Sequence, residues 1–156
     1  MPKPIAYLDS TIPSAFCDDR PHPERARWRE ITRAWWAGAA DRTTFCTSPL
    51  MLHEIGQGRR RDRIDARLAL VQGIAVLDMS DGVHALTRHY LNHKFMPVSD
   101  AAHLAAAAYH RCDDLVSWNF KHMVNANKQL HLRRLNALVR LPVPRICSPA
   151  QLLEER

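Results

Sequence analysis

The chain has 156 residues, 46% of them apolar, and a formal net charge of +6. That length and apolar share suffice for one domain over 1–156 with a buried core, and they exclude a largely disordered chain. The charge favours a polyanionic partner without naming one, and no run approaches the ~18 apolar residues of a membrane-spanning helix.

Ile5-Ala6-Tyr7-Leu8 reads as a buried strand ending at Asp9, followed by a short helix over 11–16. Pro21 and Pro23 interrupt the chain, and Pro23-Glu24 opens a helix to about Ala39 in which Trp28, Ile31 and Trp35 recur at helical spacing. A second strand is predicted over 43–47. Ser48-Pro49 then caps a helix reaching about Gly56. A further helix over 61–72 precedes a strand over 74–79. Ser80 or Asp81 caps the next helix, which carries Val83, Leu86 and Tyr90. Ser99-Asp100 opens an alanine-rich helix to about His110, and a strand follows over 115–118. A helix over 128–139, a strand over 143–147 and a terminal helix from Ser148-Pro149 complete the chain.

Strands alternating with helices predict an α/β fold with a mainly parallel central sheet flanked by helices. Open sheets of this kind place their sites at the carboxyl ends of the strands. Asp9, Glu54, Asp100 and Asn119 are the residues that one such edge can gather. Each also has a plain structural use: Asp9 as a helix cap, Glu54 as a surface residue, Asp100 as a first-turn acid and Asn119 as a turn former. Their joint occurrence in this order is what points to a site.

The four cysteines at 17, 46, 112 and 147 form no CxxC pair and no zinc-finger spacing, so free, mostly buried thiols are expected, as suits a reducing compartment. His89 and His93 stand at i, i+4, but no third ligand follows and HExxH is absent, so zinc is not expected. Trp28, Trp35 and Trp36 suggest packing or a partner surface more than base stacking. The amino-terminal MPKPIAYLDS lacks the apolar length and small-residue cleavage site of a signal peptide, so a cytoplasmic location is expected.

Four segments in order resemble the PIN-domain family, in particular VapC-like toxin ribonucleases of type II toxin–antitoxin systems. They are Tyr7-Leu8-Asp9-Ser10-Thr11, then Ser48-Pro49-Leu50-Met51-Leu52-His53-Glu54-Ile55. Asp100-Ala101-Ala102-His103-Leu104-Ala105-Ala106-Ala107-Ala108 is the third, and Leu115-Val116-Ser117-Trp118-Asn119-Phe120-Lys121-His122 the fourth. The resemblance spans nearly the whole chain and implies a three-layer PIN-like domain. It implies a metal-dependent endoribonuclease in which Asp9, Glu54 and Asp100 hold Mg²⁺ or Mn²⁺, the ions that hard oxygen ligands favour. Asn119, where many family members carry a fourth acid, would fix a water, and Asp113 and Asp114 at the strand's opposite end would be structural. Ser10 or Thr11 would hold Asp9 in place beside the substrate.

Expected phosphate contacts are Lys121 and His122 and the basic run Arg59-Arg60-Arg61 with Arg63; Arg133 and Arg134 are weaker candidates. The implied partners are single-stranded or looped RNA, a small antitoxin protein and a second copy of the chain, with no membrane. The rival reading is a PIN-fold module that binds RNA or an antitoxin with weak or no catalysis, because Asn119 adds no charge. A flap-type DNA nuclease would need a longer chain with clamping helices. A receiver domain would need an acid pair beside Asp9.

Overall fold

In a computed structural model of the protein, which describes residues 2–93, 96–120 and 126–155, five parallel strands form one sheet in the order β3-β2-β1-β4-β5. The strands are β1 (Ile5–Leu8), β2 (Thr44–Thr47), β3 (Ala75–Val76), β4 (Asp114–Val116) and β5 (Arg145–Cys147). The helices among the described residues are α1 (Thr11–Phe16), α2 (Pro23–Ala39), α3 (Pro49–Ile55), α4 (Arg61–Val71), α5 (Asp81–Asn92), α6 (Val98–Tyr109), α7 (Ala126–Leu138) and α8 (Pro149–Glu154).

β1 is apolar throughout because it lies between two strands and is covered on both faces. Its alternation divides the core. Tyr7 joins Val83, Leu86 and Tyr90 of α5, Leu104 of α6 and Leu132 and Leu135 of α7 on one face. Ala6 and Leu8 join Ile12 of α1, Trp35 and Ala39 of α2 and Cys147 on the other. The α/β, three-layer expectation is met, and the sheet is wholly rather than mainly parallel. Met51 and Ile55 of α3 pack with Val71 of α4 in a smaller cluster.

Several predicted boundaries contract. The expected strand over 74–79 pairs only at Ala75 and Val76, because β3 is an exposed edge and the chain leaves the sheet after Leu77 bonds Thr47. The strand expected over 115–118 runs from Asp114 to Val116, and Trp118 turns away so that its amide donates to Thr11 Oγ1 at 2.9 Å. The strand over 143–147 begins only at Arg145, after Pro142 and Pro144, which have no amide hydrogen to give a ladder. Ser80 caps α5 through the Val83 amide, and Ser148 forms a reciprocal capping box with Gln151.

Asp113 and Asp114 are structural, as expected. Asp113 Oδ2 accepts from the Ile5 amide at 2.7 Å, and Asp114 pairs with Arg145 at 2.9 Å, at the amino-terminal edge of the sheet. All four cysteines are free, and three of them are buried. Trp35 and Trp36 serve packing, the former at 4% exposure and the latter against Phe16 and Phe45. No helix among the described residues is long and apolar enough to cross a membrane.

Candidate active site

The sheet order reverses direction at β1, whose neighbours are β2 and β4, so a crevice opens at their carboxyl ends. Ala6 pairs with Asp114 and Leu8 with Val116, so the next residues, Asp9 and Ser117, come level. The Asp9 amide donates to the Val116 carbonyl, and the Ser117 hydroxyl donates to Asp9 Oδ2. Thr11 supplies two donors to Asp9 Oδ1, its amide at 3.0 Å and its hydroxyl at 2.5 Å. Asp9 therefore does make a local turn bond of the kind its plain reading anticipates, and Thr11 rather than Ser10 is what holds it.

Asp9 is 3% exposed. Burial pushes its pKa above the ordinary carboxylate value, opposed by the charge of His103 and by the bonds from Ser117 and Thr11. A buried carboxylate that accepts from two neutral hydroxyls and one amide is short of positive charge.

Glu54 comes from α3 and Asp100 from the first turn of α6. Glu54 Oε1 meets His103 Nε2 at 2.5 Å, and Glu54 Oε2 accepts from the Ser99 hydroxyl at 2.6 Å. Burial raises the Glu54 pKa, but the bonds from His103, Ser99 and Ser10 outweigh it and hold the carboxyl below its usual value. Behind His103, Nδ1 lies 2.7 Å from the Tyr7 hydroxyl, which lies 2.7 Å from Ser48 Oγ. A carboxylate only accepts, so His103 Nε2 donates to Glu54, and the Tyr7 hydroxyl donates to Nδ1 of a neutral imidazole or accepts from it when the ring is protonated. Ser48 occupies the N-cap position of α3 yet makes no capping bond, because its hydroxyl is committed to Tyr7.

Asn119 links Asp100 to the Ser117 hydroxyl that holds Asp9. Its amide nitrogen on the backbone donates to Ser117 Oγ at 3.0 Å, and its side chain donates to Asp100 Oδ1 at 3.4 Å. Hydrogen bonds thus join Asp9, Ser117, Asn119 and Asp100, with Thr11 on Asp9, while Glu54 is held separately by His103, Ser99 and Ser10, the last two being the sequence neighbours of Asp100 and Asp9. Lys121 and His122 lie outside the described residues. The basic run stands at the start of α4, where Arg60 pairs with Asp19 and Asp62, Arg61 with Asp65, and Arg63 with Asp19. Much of its charge is therefore met locally.

Sequence reasoning did not assign Tyr7, Ser48, Ser99, His103 or Ser117 to the site. His103 was legible in principle, since three residues after Asp100 on a helix is the same face. Ser117 and Tyr7 depend on strand register and were not.

Among the described residues, no three His, Cys, Asp or Glu side chains are arranged to hold a metal ion. His131 comes near His93, at 6.0 Å between ring centres, without making such a set. The donor chemistry of the acidic crevice does fit a divalent cation. Its acidic groups offer only hard oxygens, Asp9 Oδ2 accepts a single bond and so keeps a lone pair, and buried Asp9 lacks a full counter-charge.

No family model matches the sequence, and no curated protein is significantly similar to it. Among solved structures, the chain is similar to one in the crystal structure of VapBC2 from Rickettsia felis bound to a DNA fragment from their promoter. The likeness covers 92% of this chain and 98% of that one, at 14% identity and a TM-score of 0.59. It is a likeness of fold, and it matches the PIN-like architecture expected from the four segments.

Proposed function

We propose that this protein is a metal-dependent endoribonuclease of the PIN toxin kind, hydrolysing phosphodiester bonds of single-stranded or looped RNA. The observation that carries this reading is the hydrogen-bonded line Asp9–Ser117–Asn119–Asp100 beyond the carboxyl ends of β1 and β4, with Asp9 buried and short of positive charge and Glu54 bonded to Ser99 next to Asp100. A Mg²⁺ or Mn²⁺ ion bound there would supply an acidified water and offset charge on the phosphate. Asp9 and Asp100 would hold the ion. Glu54, whose depressed pKa keeps it ionised at neutral pH, would help hold it or take a proton from the attacking water at a carboxylate oxygen. Asn119 would orient a water through its amide, and Thr11 and Ser117 keep Asp9 from turning.

Arg59, Arg60 and Arg61 are proposed phosphate contacts, with Arg59 and Arg60 sharing one surface hollow with Arg63 and Arg67. Lys121 and His122 follow Asn119 in sequence and remain proposed contacts on that ground. A small antitoxin partner, a homodimer and a cytoplasmic location belong to the same reading. The solved neighbour's description as VapBC2 on promoter DNA supports the first of these.

The test incubates purified protein with short RNAs in Mg²⁺, Mn²⁺ or EDTA, beside the Asp9→Ala and Asp100→Ala variants. Cleavage that needs the metal and disappears in both folded variants is the expected result. Equal cleavage by variant and wild type would reject the mechanism. RNA binding without cleavage, and without Mn²⁺ uptake, would favour the catalytically weak module.

A further inference from the structure

Beside the acidic crevice lies a cleft of about 230 Å³ lined by Ser10, Thr11, Asp18, Arg25, Trp28 and Trp118, among others. The indoles of Trp28 and Trp118 stack with centroids 5.0 Å apart and planes 7° from parallel. Both are only partly buried. They are also fixed: Trp118 Nε1 donates to Thr32 Oγ1 at 3.0 Å, and the Trp118 amide donates to the same Thr11 hydroxyl that holds Asp9. Opposite charge is arranged with equal care. Asp18, 8% exposed, is gripped by Arg20 at 2.6 Å and by Arg25 at 3.5 Å, while both guanidinium side chains stay nearly half exposed. Hydrogen bonds from Arg20 hold the Asp18 carboxyl well below the usual range. Two cations against one carboxylate leave a net positive charge facing the cleft.

Resting on the ribonuclease reading above, we infer that this cleft is a nucleotide subsite. One unpaired base of the RNA lies against the Trp28–Trp118 stack, and its phosphate lies against Arg20 and Arg25, one step from the bond that is cut. The volume is below the ~300–1,000 Å³ of sites for drug-sized ligands, which suits a single flat ring system. Stacking on an aromatic platform beside a basic rim is how proteins grip single strands without reading their sequence. It is a use for Trp28 that helical spacing alone does not suggest. Because Thr11 joins Trp118 to Asp9, a base seated here would place its strand in register with the acids.

The experiment measures binding of a fluorescein-labelled single-stranded RNA by anisotropy in EDTA, so that no cleavage intervenes. Trp28→Ala should weaken binding on the order of 10-fold, with Trp28→Phe retaining most of the affinity, as stacking predicts. Arg25→Glu, on a half-exposed side chain that does not carry the fold, should weaken it as well. Arg25→Ala should lower the slope of log affinity against log salt by about one. Circular dichroism confirms folding, and if Trp28→Ala fails to fold, Trp28→Phe and the Arg25 variants decide. Wild-type affinity in Trp28→Ala and Arg25→Glu together would overturn the subsite while leaving an RNA substrate intact. Failure of the wild-type protein to bind RNA at all would overturn the subsite and the RNA reading with it.

Discussion

Tyr7 carries a hydroxyl into the centre of the sheet, where it is 0% exposed and burial pushes its pKa far above the usual phenol value. Such a group is stable there only because Ser48 and His103 satisfy it. Tyr7→Phe removes the oxygen and leaves two buried polar partners unsatisfied. It should cost about 1–3 kcal/mol of stability in urea denaturation. If the relay orients Glu54, the same variant should also weaken Mn²⁺ binding by roughly 10-fold or more, read by calorimetry. Loss of stability with unchanged Mn²⁺ affinity would make the relay purely structural. At this scale the sequence exposes the acids but not their support, since the partners of Glu54 and Tyr7 lie 41 to 96 positions away.

Helix α6 is the element on which the site depends most. Its residues from Ala101 to Ala108, except partly exposed Ala102, are buried to within 2% of complete, against both α5 and the sheet. Alanine here lets two neighbours approach closely, and the same helix presents Ser99, Asp100 and His103 at its first turns. Ala105→Leu adds volume to a filled core and should destabilise by about 1–3 kcal/mol. Because displacement of α6 moves Asp100 and His103 with it, metal affinity should fall too. An unchanged urea midpoint would show that the α6 contact is looser than described. Element identity was legible from the hydrophobic period, and the ends that shifted did so where local features competed. Pro142 and Pro144 shortened β5, and an exposed edge shortened β3.

Across the whole molecule, Asp9 and Glu54 make stability depend on pH in opposite senses. The folded pKa of Asp9 lies above its ordinary value, so its stabilising contribution is present at low pH and lost as pH rises through that folded pKa. The folded pKa of Glu54 lies below its ordinary value, so its contribution is present at higher pH and lost as pH falls through the folded pKa. At pH 7.5 in EDTA, Asp9→Asn should therefore raise Tm, by roughly 2–4 °C for each kcal/mol of buried charge relieved. Mn²⁺ should raise the Tm of the wild type by mass action, more at pH 7.5 than at pH 5, and leave Asp9→Asn nearly unmoved. Equal Mn²⁺ shifts in both proteins, followed by differential scanning fluorimetry, would place the metal elsewhere.

The sequence by itself determined the alternation of strands and helices, the parallel sheet, and the order of Asp9, Glu54, Asp100 and Asn119 along it. These rest on local periodicity and on where strands end, and both are written in neighbouring residues. Only the tertiary structure decided that His103 and Tyr7 stand behind Glu54, that Ser117 comes level with Asp9, and that Trp28 stacks on Trp118 beside the acids. Those contacts follow from strand register and from which helix faces meet, set by packing between segments as much as 108 positions apart. No local pattern encodes that meeting, because each partner alone satisfies an ordinary role as cap, core residue or turn.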